Sequence, residues 1–73
     1  MATDEQLARL GRNIRARMAE RGMTQKELAA KAGVTQAAVS AYVNGRRQMG
    51  VRALNGICEA LGCTWEELLK GMA

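Results

Sequence analysis

The chain has 73 residues, a formal net charge of +4 from eleven basic and seven acidic side chains, two cysteines, and neither histidine nor proline. A chain this short supports one domain, in which folding buries only about 60 % of the surface the unfolded form exposes. Without histidine, with two cysteines five positions apart and with acids that are scattered or placed to cap helices, the composition holds no zinc set, no disulfide framework and no catalytic constellation. No cofactor, metal or small-molecule ligand is expected, and the chain is expected not to be an enzyme.

The charge is unevenly spread. Residues 9–52 hold ten of the eleven basic side chains against only Glu20 and Glu27, a local charge of +8, while residues 1–8 and 53–73 each carry −2. A basic field of this kind attracts polyanions, nucleic acid first and an anionic membrane second. The acidic opening MATDEQ does not resemble a signal peptide, and no apolar run approaches the roughly 20 residues of a membrane span. A cytoplasmic location follows as an expectation, with Cys58 and Cys63 as ordinary thiols.

The first predicted helix shows Leu7, Leu10, Ile14 and Met18 at steps of three and four residues, with Arg9, Arg12, Arg15 and Arg17 on its other sides and Gly22 at its end. The second opens at Thr24-Gln-Lys-Glu, a capping box in which Thr24 and Glu27 satisfy each other's amides, and closes at Gly33. Only Val34 separates Gly33 from the next cap, Thr35. Two short helices joined so tightly cannot fold back on each other and must cross, which makes residues 24–45 a helix-turn-helix. The alanines at 29, 30, 32, 37 and 38 are expected to let these two backbones approach.

The third helix carries no charge from Thr35 to Gly45. At 100° per residue, Val39, Tyr42 and Val43 share a sector of about 100° that should face inward. Gln36, Ala37, Ser40, Ala41 and Asn44 occupy another arc, too polar for a core and too short-chained for a solvated face. Amides pair with adenine and methyl groups pack on thymine, so these are groups that read base edges while flanking charge grips phosphates. A fourth helix is expected over 51–61, with Val51, Leu54, Ile57, Cys58 and Leu61 as its stripe and Asn55-Gly56 as an internal weakness. A fifth starts at the capping box Thr64-Trp-Glu-Glu and runs through Lys70, with Trp65, Leu68 and Leu69 as its apolar residues.

The segments MTQKELAAKAGVTQAAVSAYVNGRR and ALNGICEALGCTWEELL together resemble the lambda-repressor and Cro type of helix-turn-helix, the XRE family, across roughly residues 10–70. The resemblance implies an all-α, compact five-helix domain spanning residues 1–73, encoded by a bacterium or phage, that binds double-stranded operator DNA as a homodimer. It implies base reading by Gln36, Ala37, Ala38, Ser40, Ala41 and Arg47. It implies phosphate contacts by Thr24, Gln25, Thr35, Asn44 and Arg46, with Gln25 also bracing Gln36. Met49, Val51, Trp65 and Leu68 are the candidate dimer residues. Many relatives bury an Arg–Glu pair where this chain has Met18 and Val43, a matched apolar swap that should be tolerated.

These features describe a sequence-specific regulator, with repression at an inverted repeat as the expected mode. Two alternatives compete. An antitoxin-type autorepressor would need a partner-binding extension, for which only the acidic tail is available. A protein-interaction module that had lost DNA binding should lack the basic residues at 46 and 47.

Overall fold

The computed structural model describes residues 3–71, so the two residues at each end of the expected domain lie outside it. Among the described residues there are five helices and no strand: α1 Asp4–Arg21, α2 Gln25–Ala32, α3 Gln36–Val43, α4 Val51–Leu61 and α5 Trp65–Leu68. Local chemistry sets most of their starts. The predicted boxes Thr24/Glu27 and Thr64/Glu67 both form, each with reciprocal bonds of 2.9–3.1 Å. A third box, Thr3 with Gln6, opens α1 and lies in the same TDEQ segment that read only as acidic. α4 starts at Gly50 without a side-chain cap. α5 is shorter than expected: Leu69 caps it and a turn follows to Gly71.

Ile14, Leu28, Val39, Ile57, Leu61 and Leu68, drawn from all five helices, are fully buried and form the centre of one core. The inward sector of α3 is as read: Val39, Tyr42 and Val43 are buried, with Ala38 beside them. Met18 and Val43 are both buried, as the apolar swap at those places requires. Burying Leu10, Ile14 and Met18 on one side of α1 leaves Arg12 and Arg15 exposed on others.

Besides the packing of α2 on α3, two close backbone crossings organise the fold, one of them at Ala32. A Cβ added to Gly11 in α1 would stand 2.5 Å from the Val43 carbonyl oxygen and 2.8 Å from that of Tyr42. A Cβ on Gly56 in α4 would collide with the Ala32 carbonyl oxygen of α2. Gly56 therefore does not weaken α4, which runs unbroken through it, but lets α2 and α4 meet. Of the five alanines, Ala29 and Ala38 are in the core, Ala32 faces α4, and Ala30 and Ala37 are exposed.

Two expectations about the C-terminal helices, those for Val51 and Leu68, are corrected. Val51 is 69 % exposed, because the α4 stripe runs past the edge of the core at its first residue. Trp65 is 40 % exposed and lies outside the core, which leaves it open as a dimer candidate. Leu68 is fully buried against the other helices and has no surface to offer a second subunit. The chain's turn after α5 is held instead by Asn13, whose Nδ2 donates to the carbonyls of Leu68 at 2.8 Å and Lys70 at 3.0 Å. No helix among the described residues is long and apolar enough to cross a membrane.

Candidate nucleic-acid interface

The helix-turn-helix is built from a three-residue connection, Gly33-Val34-Thr35. Gly33 has φ 73°, the left-handed conformation that glycine adopts without a Cβ penalty. Its amide and that of Val34 both donate to the Ala29 carbonyl, at 3.0 and 3.1 Å, which closes the end of α2. Val34 packs on the core, and Thr35 immediately caps α3 by accepting from the Ala38 amide at 3.0 Å. The sequence thus leaves a single residue, Val34, between the cap that ends α2 and the cap that starts α3.

The outward face of α3 carries the residues expected to read bases. Gln36 and Ala37 are exposed, and Ser40 and Ala41, one turn on, are partly covered. Ala38 does not share this face: only 6 % of it is accessible, and its methyl belongs to the core. Arg46 and Arg47 follow in the loop and are both exposed. Arg47 is not free-swinging, since its guanidinium carbon lies 5.8 Å from the centre of the Tyr42 ring. Thr24 and Thr35 are exposed caps, and Gln25 is half-buried at the start of α2.

Asn44 has a role beyond the expected one. Its Nδ2 donates to the Ser40 carbonyl at 2.8 Å, and its Oδ1 accepts from Arg15 Nη2 at 2.6 Å. One amide hydrogen remains for an outside acceptor. Arg15 and Asn13 escaped the sequence reading because their partners are 28 to 57 residues away, and no local pattern marks such bonds.

Burial pushes the Cys58 thiol up to about 11, with the neighbouring Cys63 adding to the effect, so it is protonated at neutral pH and a poor nucleophile or metal ligand. Among the described residues no three His, Cys, Asp or Glu side chains gather as a metal ion needs. A shallow polar depression of about 260 Å³, lined by Thr3, Glu5, Gln6, Arg9 and Gly71, shares no residue with the α3 face.

No curated protein matches the chain. Solved structures do. The restriction-modification controller protein C.AhdI from Aeromonas hydrophila superposes with a TM-score of 0.83 at 24 % identity, over 85 % of this chain and 94 % of its own, a likeness of fold. The clp gene regulator ClgR from C. glutamicum gives 0.81 at 30 % identity, over 88 % and 83 % of the two chains. The hypothetical transcription factor NHTF from Neisseria gives 0.83 at 27 %, over 94 % and 80 %. The model of the Cro/C1-type helix-turn-helix DNA-binding domain matches residues 13–71, the second half of α1 and all of α2 to α5, and the chain belongs to that family.

Proposed function

We propose that the chain, acting as a single domain, is a sequence-specific transcriptional repressor that binds an inverted-repeat operator as a homodimer in the cytoplasm. The observation that carries this reading is the uncharged outward face of α3, set between basic segments on α1, on α2 and at Arg46, Arg47 and Arg52. In this reading Gln36, Ser40 and Arg47 donate to or accept from base edges, and the methyl groups of Ala37 and Ala41 pack against thymine. Thr24, Gln25, Thr35, Asn44 and Arg46 hold phosphates and fix the register. Repression follows from occupancy, since a small dimer seated over an operator blocks polymerase from the same duplex.

The dimer surface is proposed around Val51 and Trp65, two large apolar side chains left outside the core, with the half-buried Met49 preceding them. Two α3 helices about 34 Å apart would then read half-sites one turn of DNA apart. The interaction-module alternative, which expects the basic residues at 46 and 47 to be missing, meets two exposed arginines.

The test is selection of duplexes from a random DNA library by the purified protein at physiological salt. The proposed function predicts an inverted repeat with half-sites about one turn apart. Recovery of a lone half-site would remove the homodimer. Binding without enrichment, vanishing as salt rises, would remove sequence reading altogether.

A further inference from the structure

The C-terminal end of α3 is closed from outside the helix. Its last turn contains no basic residue, although a cation there offsets the partial negative charge of the terminal carbonyls. Arg15 of α1 supplies the missing charge. Its Nε donates to the Val43 carbonyl at 3.2 Å and its Nη2 to Asn44 Oδ1 at 2.6 Å. Asn44 continues the chain of bonds by donating to the Ser40 carbonyl at 2.8 Å. Arg15 is thereby linked, through one side chain, to the backbone of a residue on the outward face of α3.

The same end of α3 is fixed sterically. Gly11 lies one turn before Arg15 on α1, and a Cβ there would stand 2.5 Å from the very carbonyl oxygen that Arg15 bonds. One turn earlier again, the Ala8 backbone lies 3.0 Å from where a Gly45 Cβ would be. Ala8, Gly11 and Arg15 share one face of α1. Residues 42–45 are therefore held by backbone contact at two points and by a two-pronged guanidinium at a third.

We propose that Arg15 is a positioning residue for base reading: by bridging Val43 and Asn44 it sets the angle at which α3 leaves the core, and so where Gln36 and Ser40 meet the groove. The proposal rests on the reading of α3 as the DNA-facing helix. Base contacts must be held to roughly 0.5 Å, whereas phosphate contacts spread over several segments tolerate a small tilt. Selectivity should therefore suffer before affinity for DNA in general. A guanidinium makes this bridge because its donors form a rigid planar fork, which the single ammonium of lysine cannot copy. Two of its five N–H donors make this bridge among the described residues, so a plain phosphate contact by the rest of the guanidinium is the competing role.

The experiment compares dissociation constants for the library-selected duplex and for a scrambled duplex of equal composition, at several salt concentrations. Wild type, Arg15→Lys, Asn44→Ala and the double variant are measured, with melting curves to confirm folding. Arg15→Lys keeps the charge and is expected to lose about tenfold in the ratio of the two constants, the effect of one charge-assisted bond, with an unchanged salt slope. Asn44→Ala lowers the same ratio, and in the double variant the two losses overlap rather than add. Should Arg15→Lys fail to fold, the ratio for Asn44→Ala reads the same link from its other end. Full retention of selectivity by Arg15→Lys would overturn the proposal and leave Arg15 as a charge near phosphate. An unchanged ratio in both single variants would overturn it too. A wild-type protein with no preference for the selected duplex would instead defeat the reading of α3 itself.

Discussion

The two helices of the helix-turn-helix are equally long, eight residues each, and they are held in opposite ways. α2 carries its own devices: a reciprocal capping box, an acid in its first turn, a lysine in its last and a left-handed glycine beyond. α3 has one threonine cap, no charge at either end and an asparagine in place of the glycine. What holds α3 lies elsewhere, in four buried side chains and in the α1 face that meets Val43 and Asn44. A helix that offers an uncharged surface to base edges cannot use charges to secure its own ends. Neighbouring elements take over that task, and under the proposed function α1 would serve base reading without touching a base.

This contrast can be broken most severely at Gly11. Gly11→Ala forces a methyl group into two carbonyl oxygens of the α3 terminus, and overpacking against backbone should cost about 3 kcal/mol. Gly33→Ala, at the end of α2, meets open space and only the left-handed strain of about 1 kcal/mol. Thermal melting should separate the two by more than about 8 °C for a domain of this size. Equal losses would mean that α1 does not constrain α3.

On the DNA side, Arg46→Gln should weaken binding to selected and scrambled duplexes alike and reduce the salt slope by about one. An unchanged slope in a salt titration would remove Arg46 from the phosphate contacts. A smaller effect distinguishes the caps. Thr24→Ala removes only the hydroxyl's bond and leaves the residue-24 amide donating to Glu27, whereas Thr35→Ala removes the one cap bond of α3. The first should cost less than about 1 kcal/mol of stability and the second about 1 kcal/mol. Chemical denaturation measures both.

The mildest test uses acid. The Thr24 backbone amide, and then its hydroxyl, hold the Glu27 carboxylate below its ordinary value of 4.5, and Thr64 does the same for Glu67. Because both folded values are depressed, the stabilisation is complete above pH 4.5 and is lost as pH falls through the folded values. Glu27→Gln should lower the melting temperature slightly at neutral pH and flatten its fall in acid. α3 has no carboxylate, so no substitution within it should alter that slope.

Much of the molecule was readable because its signals are local. Caps at Thr24, Thr35 and Thr64, the glycine at 33 and the sector of Val39, Tyr42 and Val43 each lie within one turn of what they control. The misses are of another kind. Gly56 read as a weak point because a glycine tolerated in a helix and a glycine demanded by a crossing backbone look identical until Ala32 is in place. Val51 falls outside the core and Leu68 lies wholly inside it because periodicity gives a direction but not where the core ends. Ala38 sits beside Ala37 in the chain, yet one helical step of 100° puts its methyl in the core. Arg15 looked like one more basic residue in a basic segment, and only its carbonyl and amide partners give it a separate role.

The central claim, that the outward face of α3 reads bases, is tested most directly at Gln36, an exposed residue on the first turn of that helix. The measurement is the random-library selection repeated with Gln36→Ala beside wild type. The account predicts that preference disappears at one base position in each half-site, with a loss of about 1–3 kcal/mol on the wild-type duplex and little change on scrambled DNA. An identical recovered sequence, or a loss equal on both duplexes, would contradict it.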